Sequence, residues 1–258
     1  MILDDIVAKR KERYEIIKKN KPLEDLKKEI DIPKNPKYSF YDLFTNNHFV
    51  FICECKHKSP SKGILIENYD YLKLAKEYEM SGADAISCLT EPDYFLGSDN
   101  HLMDIKKNVN IPVLRKDFIF DEYQIYEAKK IGADLILLIV AILDFDALKS
   151  FIELAHKLGL SCLVETHNEE EIETAIKAGA KVIGVNNRNL KDFSVDTSLA
   201  IKLRKEYKDI ILISESGVRN KEDVRLIKKA GLNGVLVGEA LVKSDSISKT
   251  LKEFKNVR

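Results

Sequence analysis

The chain of 258 residues has no tryptophan, no net charge, no paired cysteines and no long apolar run. Each absence narrows what it can be. Without tryptophan, the polypeptide carries no indole fluorescence of its own. Lysine plus arginine and aspartate plus glutamate stand at 42 each, which removes both the basic field of a nucleic-acid binder and an acidic bias toward cationic partners. Any anion site must therefore be local. Cys53, Cys55, Cys88 and Cys162 fall inside apolar stretches without the CxxC pairs of a zinc site or the framework of a secreted disulfide protein, so buried, reduced thiols are expected. The opening MILDDIVAKRKERYEII carries acids and bases where a signal peptide needs an apolar core. Nowhere does an apolar run approach the roughly 18 residues of a membrane span. A soluble, cytoplasmic protein is expected.

What is present is a rhythm. Apolar stretches recur at about 48–56, 84–89, 112–117, 134–140, 160–165, 181–186, 209–214 and 234–238, each followed by a charged segment of helical period. Related glycine punctuation closes the helices: SGADAI, IGADLI, LGLSCL, AGAKVI and AGLNGV. Eight such units with parallel strands have one dominant closed solution, a (β/α)8 TIM barrel of the α/β class, whose function sits on the loops after the strands. A doubly wound open sheet is the runner-up, and it lacks the GxGxxG expected after its first strand. Residues 1–46 form a helical extension before the barrel, the whole 1–258 reading as one domain. In that extension Leu3, Ile6 or Val7, Arg10, Tyr14 and Ile17 line one stripe, Asn20 and Pro22 end the helix, and a shorter helical piece follows around Leu23, Leu26 and Ile30. The extension is a lid, a bottom plug or a packing element.

The chain is organised around FVFICECKHKSPSKG at 49–63. Strand alternation sends Phe49, Phe51, Cys53 and Cys55 to one side and Val50, Ile52, Glu54 and Lys56 to the other. A carboxylate and an ammonium on one buried face either pair to close a barrel layer or serve an active site. The other strand ends repeat the pattern. VLRKDF sets Lys116 with Leu114 and turns Arg115 toward the helices. LVETH sets Glu165 with Leu163, GVNNRNL sets Asn186 and Arg188 with Gly184, and ISESG sets Glu215 with Ile213. Polar groups at five of the eight strand ends point to a reaction site at the barrel mouth. The glycine turns SESG and VGEA, after strands seven and eight, occupy the usual phosphate position of this fold, with Gly217 and Gly238 admitting the oxygens. The basic loop KHKSPSKG reads as an anion clamp or as a solvated surface loop. His57 and His167 lie near strand ends and receive no role.

The segments ECKHKSPSKG, SCLTEPDYFLGS, PVLRKDFIFDEYQIYEAKKIGADLILLI, LVETHN, IGVNNRNL, SESGV and LVGEAL resemble the indole-3-glycerol phosphate synthase family of tryptophan biosynthesis across essentially the whole chain. LRKDF, and ECK followed by SPSKG, are the specific motifs. Lys58 stands where the family pattern has a small residue. The resemblance implies closure of 1-(2-carboxyphenylamino)-1-deoxyribulose 5-phosphate to indole-3-glycerol phosphate with loss of carbon dioxide and water. It implies Lys116 as the acid on the ribulose carbonyl, Lys56 as anion holder sharing that acid role, and Glu54 as a positioning carboxylate. Glu165 would be the base, while Asn186, Glu215 and Ser216 orient sugar hydroxyls. Ser59, Phe95, Phe118, Arg188 and Leu190 would contact substrate, with Phe95, Phe118 and Leu190 as apolar walls. Phosphate would sit on the amides near Gly217, Gly238 and Glu239, the Glu239 carboxylate turned away. No metal, redox carrier or other cofactor is expected, nor a fused isomerase or glutaminase, and the partner is a small aromatic sugar phosphate, with no nucleic acid or membrane. A monomer is expected, weak contact with other enzymes of the pathway staying open. The alternatives are a phosphoribosylanthranilate isomerase-like barrel, a class I aldolase with Lys116 as Schiff base, and a non-catalytic sugar-phosphate-binding barrel.

Overall fold

The computed structural model describes residues 2–34, 38–45, 48–189 and 193–257. Eight parallel strands close into a barrel in chain order: β1 (Val50–Cys55), β2 (Ala85–Leu89), β3 (Val113–Lys116), β4 (Leu135–Ile139), β5 (Ser161–Thr166), β6 (Val182–Asn186), β7 (Ile211–Glu215) and β8 (Gly234–Val237), with β8 back against β1. Closure follows from the register. Val50 pairs with Gly234 on one side of β1, and Ile52 pairs with Ala85 on the other. The strands are continuously apolar because both faces are covered, by helices outside and by opposing strands inside.

The alternation falls as the sequence requires. Phe51, Cys53 and Cys55 pack outward against the helices, and Val50 and Ile52 pack inward with Leu114, Leu163 and Ile213. All four thiols are buried and free, and burial pushes each above its ordinary range, so they stay protonated and unreactive. Each fully buried Leu or Ile in these layers contributes about 1.5–3 kcal/mol. The inward positions change character along the strands, from Val50, Leu135 and Val182 at the N-terminal ends to Glu54, Lys116, Glu165, Asn186 and Glu215 at the C-terminal ends. One end of the barrel is a plugged hydrocarbon core; the other is a charged floor.

Helices alternate with the strands: α4 (Tyr71–Met80), α5 (Asp99–Asn108), α6 (Glu122–Lys130), α7 (Phe145–Lys157), α8 (Glu169–Lys177), α9 (Leu199–Glu206) and α10 (Lys221–Lys229), with α11 (Glu239–Val242) and α12 (Ile247–Lys255) after β8. All but α9 and α11 are capped at their starts by short polar side chains, Asp70, Ser98, Asp121, Asp144, Asn168, Asn220 and Ser246, which accept from first-turn amides. The ends of α4, α6, α7, α8 and α10 are turned by glycines at positive φ, including Gly82 at 94° and Gly179 at 92°, where a Cβ would be strained.

The extension divides between the two ends of the barrel. Helix α1 (Ile2–Asn20) lies over the mouth, where Ile2, Leu3 and Ile6 face the cavity. Helix α2 (Leu23–Lys28) rests near α6. Helix α3 (Ser39–Asp42) closes the opposite end: Phe40 is buried among the first inward residues of the strands, and the Tyr41 hydroxyl accepts from the Cys162 amide at 2.8 Å. The extension is thus both a lid and a plug. What fixes the lid is charge. Arg10 donates to Asp117 at 2.5 Å, Asp117 also accepts from Thr90, and Tyr14 bonds Glu127. Fully buried Arg115 joins the same network, donating to Glu127, Asp99 and Tyr14 at 2.7, 3.0 and 3.1 Å. Although Arg10 Nε is buried without a hydrogen-bond partner, the network pairs the Arg10 and Arg115 charges with carboxylates. It locks both neighbours of Lys116 in sequence.

Candidate active site

Lys116 ends β3 pointing into the barrel, and three carboxylates from three other strands converge on it. Its Nζ donates to Glu215 Oε2 at 3.0 Å and lies 3.6 Å from Glu54 Oε2 and 3.9 Å from Glu165 Oε2. Lys56 pairs with the other oxygen of Glu54. The alternation that carries Glu54 inward carries Lys56 to the rim of the same face. Three carboxylates thus share two ammonium groups in a largely dehydrated site. Burial works against a charged Lys116, but Glu215, Glu54 and Glu165 outweigh it and hold its pKa above the usual lysine range. Burial likewise opposes an ionised Glu54, and Lys56 and Lys116 overcome it, leaving Glu54 below its ordinary value. Glu215 goes the other way. Burial and the like charges of Glu165 and Glu54 outweigh Lys116 and push it up to about 7. Its Oε1 is buried with no hydrogen-bond partner, over Gly184 of the adjacent strand, where a Cβ would collide with it.

A cavity of about 690 Å³ opens above this floor, of the size that encloses a small phosphorylated aromatic. Glu54, Lys56, Lys116, Glu165 and Asn186 line it, and Glu215, 1% exposed, is bonded to Lys116 in the floor. Ser59, Phe95, Phe118, Arg188, Ser216, Gly217, Gly238 and Glu239 line it as well. Leu190 lies outside the described residues.

Each wall is held by its own local bonds. Phe95 and Phe118 stand with ring centroids 6.1 Å apart. Phe95 is placed by buried Glu91, whose carboxylate accepts from the amides of Asp93, Tyr94 and Phe95. Phe118 is placed by Asp117, which caps its amide, and by Gln124, which donates to its carbonyl. On the opposite wall Asn186 accepts from the Arg188 amide at 3.0 Å, and Arg188 Nη1 donates to the Phe193 carbonyl. The Ser216 and Gly217 turn has φ of 62° and 88°. Ser216 is there strained by its Cβ. Asn187 holds it, its amide donating to the carbonyls of Glu215 and Ser216 and to the Ser214 hydroxyl. Sequence alternation turned Asn187 away from the site, and it acts from the outer side of the strand.

The loop after β1 reaches across to the turn after β8. A two-residue hairpin pairs Lys58 with Ile64 and Ser59 with Gly63, and Lys62 lies 3.0 Å from Glu239. Lys243 pairs with the same Glu239 oxygen at 2.7 Å. Glu239 is a lining residue of the cavity, and its carboxylate holds a lysine from each of two segments. Gly238 packs against Glu54, whose Cβ a side chain there would crowd. His57 stacks on Tyr69 with centroids 4.9 Å apart. The lid residues Ile2, Leu3 and Ile6 belong to the wall, which their spacing alone did not reveal.

An acid surrounded by carboxylates, flanked by an aromatic slot and faced by glycine turns, agrees with the comparisons to known proteins. A family model described as indole-3-glycerol phosphate synthase matches residues 3–254. The chain belongs to the indole-3-glycerol phosphate synthase family. The protein named indole-3-glycerol phosphate synthase of Endomicrobium trichonymphae is 52% identical over 258 residues, covering 99% of this chain and all of the relative. Relatives of the same name from Ruminiclostridium cellulolyticum and Lachnoclostridium phytofermentans are 49% and 45% identical, also end to end. Membership of this synthase family makes the chain a carboxy-lyase of tryptophan biosynthesis. Among the described residues, no helix is long and apolar enough to cross a membrane.

Proposed function

We propose that the barrel mouth closes the indole ring of 1-(2-carboxyphenylamino)-1-deoxyribulose 5-phosphate, with Lys116 as the acid of the bond-forming step. The observation that carries this reading is the convergence of Glu54, Glu165 and Glu215 on one buried ammonium beside an aromatic slot. The anthranilate ring lies against the paired Phe95 and Phe118 rings under the α1 lid. Its carboxyl-bearing carbon attacks the ribulose ketone, and the ketone oxygen gains a proton from Lys116, the carboxylates having kept that proton available until charge develops. Loss of carbon dioxide returns the bonding electrons to the ring. The hydroxyl then leaves as water, driven by the nitrogen lone pair and protonated by Lys56 or Lys116. Glu165 removes a proton from the carbon next to nitrogen, which completes the indole. One carbon dioxide and one water leave, and no electrons are gained or lost.

Glu54 keeps Lys56 and Lys116 apart and charged. Glu215 serves through its bond to Lys116, while Asn186, Arg188 and Ser216 face the sugar. Phosphate rests on the turn amides near Gly217 and Gly238, where Lys62 and Lys243, now tied to Glu239, supply positive charge. Ser59 closes the loop side. A sister isomerase moves protons on a similar substrate without releasing carbon dioxide, so the test is direct. Mixing protein with substrate is expected to produce indole emission, absent from the tryptophan-free chain, in step with carbon dioxide release. Binding without either signal would leave a sugar-phosphate-binding barrel in its place.

A further inference from the structure

His167 stands just beyond the end of β5, with its ring between two carboxylates. Nδ1 lies 3.2 Å from Glu171 Oε2, and the same oxygen accepts from the His167 amide at 2.8 Å. Glu171 is itself fixed, its amide bonded to Asn168 Oδ1 and its second oxygen to Asn168 Nδ2. The other ring nitrogen, Nε2, is buried without a hydrogen-bond partner and lies 3.4 Å from Glu165 Oε1. Glu165 is therefore approached from both sides, His167 at Oε1 and Lys116 at Oε2.

We propose that His167 is a positioning residue for Glu165, holding Oε1 by an ion pair so that Oε2 stays turned to Lys116 and the cavity. This rests on the reading of Glu165 as the base. The charge distribution favours it, since the carboxyl groups of Glu54, Glu165, Glu171 and Glu215 outnumber Lys56 and Lys116 in this cluster, and a cationic His167 reduces that excess. The charged groups facing the ring are Glu165 and Glu171 on its own β/α unit and Glu215 from β7, with Lys116 of β3 on the far side of Glu165. Burial disfavours the imidazolium, but the Glu171 bond and these three carboxylates outweigh it and raise the His167 pKa above the ordinary histidine value. A ring that merely caps the start of α8 through Glu171 would be indifferent to Glu165.

Two measurements on the full chain separate these roles. The His167 ring resonances, assigned by triple resonance, are titrated in the native protein and in Glu165→Gln. The midpoint is expected to fall by about one pH unit in the variant, a tenfold loss of proton affinity; an unmoved midpoint overturns the proposal. In steady-state kinetics His167→Gln is expected to lower kcat about tenfold with KM little changed, and to abolish the fall in kcat that accompanies deprotonation of His167 at rising pH. A variant that keeps native kcat, or loses rate while keeping that pH limb, overturns the proposal. Full turnover by Glu165→Gln would instead remove the base reading beneath it, and the proposal with it.

Discussion

Replacing Glu215 by glutamine is expected to remove a pH dependence from the stability of the whole barrel. The carboxyl sits over Gly184 with one oxygen on Lys116 and the other unbonded, and it ionises near 7 against an ordinary 4.5. The sign follows from which state holds the proton. Between 4.5 and 7 the folded chain binds it and the unfolded chain has released it, so stability is fully present below 4.5 and falls as pH rises through 7. The difference amounts to on the order of 3 kcal/mol at alkaline pH. Glu215→Gln leaves Lys116 with Glu54 and Glu165 and has nothing to ionise. His167, whose pKa is raised in part by Glu215, also contributes a loss of stability as pH rises, and a smaller one in the variant, so it adds to the difference between the two proteins in the same direction. Urea unfolding from pH 5 to 8 is expected to show the variant gaining about 3 kcal/mol on the native protein across the range. Curves that stay parallel would refute the raised pKa of buried Glu215.

Gly184→Ala is expected to push Glu215 off Lys116, lowering kcat by about tenfold or more for a stability loss of about 1–3 kcal/mol, read by kinetics beside thermal melting. Arg10→Met leaves buried Asp117 without its nearest cation, so the chain should lose about 3–5 kcal/mol in urea titrations, and the loosened lid should raise KM. Lys62→Ala removes a half-exposed pair with Glu239, so melting should barely move while KM for the phosphorylated substrate rises severalfold.

Much of this was legible in the sequence because a barrel strand obeys two simple constraints. Its side chains alternate, and its interior admits charge only at the mouth, so Glu54, Lys116, Glu165 and Asn186 could be placed on one floor from neighbours such as Ile52, Leu114 and Leu163. The glycines that close the helices gave the repeat length. Alternation gives a face but no depth. It set Glu215 inward and could not tell that its carboxyl would be buried against Lys116. The amphipathic stripe of α1 identified buried residues without their partner, because Arg10 meets Asp117 across 107 positions. Glu91 and Asn187 act on loop backbone from outside any periodic pattern. The partners of Glu239, Lys62 and Lys243, come from two different segments, which no local pattern links to it.

The central claim is that Lys116 protonates the ribulose oxygen as the ring closes, and single-turnover indole emission from native protein and Lys116→Ala tests it most directly. The account predicts a rise in emission with native protein, matched by carbon dioxide. The variant should bind substrate with similar affinity and turn over about 100-fold or more slowly, because the lost interaction belongs to the transition state. A variant that closes the ring at near-native rate would contradict it.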